Sequence, residues 1–241
     1  MLHVSIKKLY ENLRSLIIWL GLVQLAWIAF WLLSPNNLES NYVWTVVVWI
    51  TTMLAWMVFV IVAGKRGFFL KHTQSLSNLV GVFLVVAFAG MLFGMLPAAR
   101  EGLIRAAQST SDLQLASIHV LRLLAIGTVI KYIQGQLPRH FVLWGSFPDF
   151  LFGVSAVIVT SLAAQSPLNQ DFLFIWYNIG FVLFAGAGIS MFFSVPSPLR
   201  LFQNKPDASI VFQFPMLLAP NFTVPLFMLA HAFALVKLLT S

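Results

Sequence analysis

The sequence predicts an all-α protein, a polytopic transmembrane helix bundle of about seven spans in a single domain over residues 1–241, with its N-terminus cytoplasmic. Three observations carry that expectation. First, 60% of the residues are hydrophobic and only 9% are charged, whereas a water-soluble domain carries about 25% charged residues. Second, the apolar runs stay continuous over roughly 20 residues, the length a helix needs to cross a bilayer. They do not alternate as barrel strands do, so helices are left to satisfy the backbone in lipid. Third, the basic residues segregate by loop. Lys7, Lys8, Arg14, Lys65, Arg66, Lys71, Lys131, Arg139, Arg200 and Lys205 fall on one side, and Arg100, Arg105 and Lys237 on the other. Positive loops stay in the cytoplasm, which sets the orientation.

The elements follow in order. Residues 1–14 place Leu2, Ile6, Leu9 and Leu13 on one helical stripe with Lys7, Lys8, Glu11 and Arg14 largely elsewhere, the pattern of an amphipathic interfacial helix. No small-residue cleavage site follows the first apolar run, so it reads as a retained span. Spans are expected at about 15–33, 43–63, 78–97, 113–133, 149–164, 172–195 and 216–238, the fifth being short enough to borrow residues 141–148. Gly90 with Gly94, and Gly186 with Ser190, have the spacing that brings helices close. Trp19, Trp27, Trp31, Trp44, Trp49 and Trp56 partly mark the membrane interfaces.

The fourth span opens with Ser111 and Gln114 at capping-box spacing and Asp112 in the first turn. A rise of about 1.5 Å per residue then puts His119 roughly 10 Å deep and Arg122 roughly 14 Å deep, near the bilayer centre. In an α-helix these side chains lie about 60° apart. An arginine at that depth costs at least about 2.5 kcal/mol, so it faces protein or water. Its partner is the open question, because no Asp or Glu is expected in mid-span. Pro215, Pro220 and Pro225 break the seventh span and free backbone carbonyls for it; an anionic ligand head is the other partner. In GSFPDF, Ser146, Pro148 and Asp149 read as a helix start, with Asp149 free to pair with Arg139 or Lys131.

His231 is expected at the depth of His119, and two such histidines suit haem iron, so haem b is carried as an alternative; no other cofactor and no metal is predicted. GVSA (153–156) followed by LAHAF has the residue order of intramembrane serine proteases of the rhomboid kind. The expected depths keep Ser155 and His231 out of hydrogen-bond reach, and no catalytic residue is assigned. Lys237 lies at the interface, too near the end for a retinal Schiff base. There are no cysteines and thus no disulfide or thiolate chemistry.

IHVLRLLAIGTVIKYIQGQLPRHF, WGSFPDFLFGVSA and FQFPMLLAPNFTVPLFMLAH resemble segments of uncharacterised bacterial multi-pass inner-membrane proteins. The resemblance implies a bacterial inner-membrane location and no mechanism. The function expected from the residues is binding or moving a small anionic or amphiphilic molecule at an intramembrane polar site, with Arg122 as charge anchor and His119, Asn178, Asn221 and His231 lining it. The alternatives are an accessory or assembly subunit of a larger membrane complex and a haem-bearing electron carrier. Expected partners are membrane lipids and, on the accessory reading, other membrane subunits; nucleic acid is not expected. Neither paired carboxylates nor a phosphate-cradling loop stands out, so an enzyme is the least supported class.

Overall fold

The computed structural model describes residues 2–35, 38–71, 89–90, 94–203 and 205–240, the side chains of 2–15, 70–71, 98 and 185 aside. The described residues form helices and their connections, with no strand among them. The helices are α1 (Leu2–Leu33), α2 (Ser40–Lys65), a single turn α3 (Phe68–Lys71), α4 (Pro97–Ser109), α5 (Asp112–Ile133), α6 (Arg139–Ala163), α7 (Gln170–Ser194) and α8 (Ala219–Thr240). Among the described residues six helices are long and apolar enough to cross a membrane: α1, α2, α5, α6, α7 and α8. Most of the span expected at 78–97 lies outside the described residues.

α1 runs unbroken for 32 residues, so the N-terminal segment and the first apolar run share one continuous helix. The side chains of its expected amphipathic stripe lie outside the described residues. The fifth span begins at Arg139, ten residues before the expected start, and that shift turns out to govern the site.

α5 and α6 pack most extensively, α7 closes against α6 and α8, and α1, α2 and α4 gather on the flank of α8. Outward faces are apolar: Val58 and Phe59 on α2, Leu151 and Ile158 on α6, and Ile175 and Val182 on α7 are exposed. Apolar groups turned outward suit lipid as the surrounding solvent. The tryptophans divide in their use. Trp19 and Trp44 are exposed, but Trp31 is buried against Phe233, ring centroids 5.5 Å apart.

The two ends of the bundle are tied differently. At one end Lys237 Nζ meets Asp112 Oδ1 at 2.6 Å and donates to the Thr110 carbonyl at 2.8 Å, joining α8 to the start of α5. Removing the amine by Lys237→Met is expected to cost about 1 kcal/mol, since the pair is only partly shielded; thermal unfolding in detergent reads it. At the other end the connection 195–218 folds over the helices, with Ser209 N–H donating to Asp207 Oδ1 at 2.9 Å and Arg200 Nη1 3.8 Å from Oδ2. Partial burial raises the Asp207 carboxyl, but the Ser209 hydroxyl and N–H, with the Arg200 and Lys205 charges, outweigh it and hold the pKa below its ordinary value. A depressed folded pKa contributes stability above the unfolded value and loses it as pH falls. Asp207→Asn is therefore expected to destabilise by less than about 1 kcal/mol at neutral pH. The difference should fade in unfolding scans taken down to about pH 3.

Candidate functional site

The site is built where three spans leave α-helical geometry. α5 starts as its sequence predicts: Ser111 Oγ accepts from Gln114 N–H at 3.2 Å, and Gln114 Oε1 accepts from Ser111 N–H at 2.9 Å. From Ile118 to Ala125 the helix then tightens into a 3-10 helix of eight residues before relaxing to α over Ile126–Ile133. Runs that long are uncommon, and with three residues per turn positions i and i+3 eclipse. His119 and Arg122 consequently stack on one face instead of diverging by the α-helical angle, and both are buried.

α6 contains a π-helical turn at Val142–Ser146. Its wider ring lets the helix pass Pro148, whose missing N–H and bulky ring would otherwise end it. Ser146 makes no capping hydrogen bond. Asp149 therefore lies ten residues inside α6, about 15 Å along its axis, as Arg122 does in α5. Arg122 Nε donates to Asp149 Oδ1 at 2.5 Å. The expectations that Arg122 has no acidic partner, and that Asp149 serves the start of a helix, are both overturned by this pair.

α8 repeats the device, with a π turn at Ala219–Thr223 ahead of Pro225. Proline cannot donate to the carbonyl four residues back, which here is Asn221. Trp56 Nε1 donates to that oxygen at 3.0 Å, so the freed carbonyl is occupied by α2 and not by Arg122. Arg122 instead donates from Nη1 to His231 Nε2 at 2.9 Å. An arginine only donates, so Nε2 accepts and the proton of a neutral His231 sits on Nδ1. Phe152 and Phe184 clamp the guanidinium, its carbon 4.1 and 4.0 Å from their ring centroids, a cation–π arrangement.

Of the five residues expected to line a site, the structure gathers His119, Arg122 and His231 and leaves two aside. Asn178 Nδ2 donates to Phe174 O and Asn221 Nδ2 to Leu217 O, each at 2.7 Å and each four residues back along the chain. The imidazoles of His119 and His231 stack directly, centroids 4.1 Å apart and planes tilted by 32°. Haem iron would need space between opposed ring nitrogens; these rings fill that space with each other, so the pair does not fit haem. Among the described residues no group of three or more His, Cys, Asp or Glu could hold a metal. Both nitrogens of His119 lack a hydrogen-bond partner among the described residues, inside a cage of Phe152, Trp176, Tyr177 and Phe227. Ser155 is committed elsewhere, donating to Phe152 O and accepting from Trp176 Nε1.

Two glycines set the distances between these helices. A Cβ on Gly153 would lie 2.6 Å from Leu123 N and 2.9 Å from Arg122 C, so α6 presses on the backbone of the 3-10 segment. A Cβ on Gly180 would lie 2.3 Å from His231 Cε1. Neither glycine belongs to a small-residue pair singled out in the sequence.

A cavity of about 270 Å³ opens beside the charged pair. It is lined by Arg122 and Asp149, by Lys131, Gln134 and Gln213, and by an apolar wall that includes Leu20, Leu121 and Phe227. The 3-10 segment and both π turns contribute lining residues. π turns within α-helices cluster at functional sites, which supports the cavity as the site.

Residues 76–239, more than half of the chain, match the family model described as a domain of unknown function (DUF8737), and the chain belongs to that family. The matched region holds α4 to α7, α8 up to its last residue and every residue of the charged cluster. No curated protein and no solved structure matches the chain.

Proposed function

We propose that this protein is a seven-span membrane protein of the bacterial inner membrane that binds a small amphiphilic molecule in the cavity beside Arg122 and Asp149. The carrying observation is an apolar cavity that reaches a buried charge pair at the point where three helices depart from α geometry. Breaking helical hydrogen bonding at that depth is tolerated where backbone is buried in protein or lines a cavity. Arg122 is already neutralised by Asp149, so it serves as the internal partner of a carboxylate and not as anchor for an anion.

The orientation rests on the basic residues. Lys65 packs over Phe214, which lines the cavity together with Lys131, while Gln108 of α4 bonds Thr240 O at the end where Lys237 lies. α2 thus ends at one end of the bundle and α4 ends at the other, which supports an odd number of crossings between them. The basic-rich end is cytoplasmic.

The test is saturable binding of a fluorescent long-chain amphiphile to protein in lipid nanodiscs, corrected with empty discs. Ala125 lines the cavity one 3-10 turn beyond Arg122. Ala125→Phe is expected to remove saturable binding while leaving thermal stability within about 1–3 kcal/mol of the parent. Absence of saturable binding by the unaltered protein defeats the reading.

A further inference from the structure

The head-group chemistry that fits this cavity follows from which atom of the ion pair a ligand can touch. The Arg122 side chain is 0% exposed, whereas that of Asp149 keeps 19% of its surface open, deep in the bundle yet reached from the cavity. Asp149 Oδ1 takes the Arg122 hydrogen bond, and among the described residues nothing donates to Oδ2. A ligand that arrives therefore meets a hydrogen-bond acceptor first.

Charge decides among the donors. The ion pair is neutral as a whole, and a net charge placed in a low-dielectric interior is costly. An anionic head would face the carboxylate oxygen. A cationic head would leave a surplus positive charge, with Arg122 behind Asp149 and Lys131 also lining the cavity. A neutral head with an O–H donor satisfies Oδ2 and adds no charge. Ser146 and Thr223 line the same cavity and bring further hydroxyl groups.

The route in is lateral. Leu16 of α1 and Leu124 and Ile130 of α5 line the cavity and are 40%, 37% and 41% exposed on the flank of the bundle. Apolar rim residues open to that flank let a tail remain in the lipid while the head reaches Asp149.

We propose that the cavity selects an amphiphile with a neutral hydroxyl head, whose O–H donates to Asp149 Oδ2 while its alkyl tail leaves between α1 and α5. This deepens the amphiphile-binding reading and rests on it. The experiment displaces a fluorescent long-chain alcohol from the full chain in nanodiscs with hexadecanol, hexadecylamine or hexadecanoic acid near neutral pH, each corrected for partition into empty discs. Hexadecanol is expected to compete at least about tenfold more tightly than the other two, because the ionised acid forgoes one hydrogen bond to a charged acceptor and the amine brings an uncompensated charge into the interior. Asp149→Asn should narrow that preference, and the ranking in the unaltered protein stands as the primary readout should the variant fold poorly. Equal competition, or tighter competition by the acid or the amine, overturns the head-group assignment and leaves the cavity reading standing. No saturable binding of the labelled alcohol, together with none of a labelled amine or acid, defeats the cavity reading itself.

Discussion

Arg122→Ala is expected to destabilise the protein by about 3–5 kcal/mol, the usual cost of removing one member of a buried ion pair. The truncation leaves Asp149 ionised without its cation, strips His231 Nε2 of its donor and opens a void between Phe152 and Phe184. Asp149→Ala should cost a similar amount by leaving the guanidinium unpaired. The double variant Arg122→Met with Asp149→Leu is the discriminating case, because replacing both charges by apolar groups of similar volume removes the uncompensated charge. It should be more stable than either single truncation in thermal unfolding monitored by circular dichroism. If the double variant is instead as damaged as the sum of the two singles, the pair is not coupled as described.

Gly153→Ala is expected to cost about 1–3 kcal/mol although it adds one methyl group, since overpacking a close contact has that range. The methyl would meet Leu123 N and Arg122 C, backbone atoms that cannot swing aside, and so would push α6 away from the segment that carries Arg122. Gly127→Ala supplies the control on the same helix as Arg122. Its Cβ would meet nothing within 4 Å. Alanine there should be neutral or stabilising by up to about 1 kcal/mol, the ordinary helical preference over glycine. Equal unfolding temperatures for the two variants would show that the close approach at Gly153 carries no weight.

Much of the architecture was legible in the residues. The helical membrane class follows from composition and apolar run length, and the capping box at Ser111 and Gln114 forms as its spacing predicts. Counting residues from the span ends also placed His119 and His231 at one depth, and their rings touch. The partner of Arg122 was hidden by a local imitation. WGSFPD has a serine, a proline and an aspartate in the order of a helix start, a signal that points to a later start for the fifth span and to a helix end for its carboxylate. The π turn at Val142–Ser146 carries the helix through that proline and takes Asp149 to mid-span.

The asparagines show a second limit. A polar residue in mid-span reads as a lining group, but Asn178 and Asn221 each satisfy a carbonyl of their own helix. Short polar side chains have that local option, and only the rotamer reveals which option is taken. Gly153 and Gly180 were not legible for a related reason: a glycine's value at a contact depends on what the opposing helix presents.

The sequence by itself determined the helical class, the apolar character of the chain and where most of its long apolar helices lie. Those properties follow from hydrophobicity and rise per residue, which are local. Tertiary structure alone decided what neutralises Arg122 and which atom faces the cavity. That outcome depends on the register and rotation of α5, α6 and α8 relative to one another, set by two π turns, a 3-10 segment and a glycine contact. Periodicity along one chain cannot specify the rotation between two helices, and at Arg122 that rotation replaced a free cation with a neutral pair that presents its acid to the cavity.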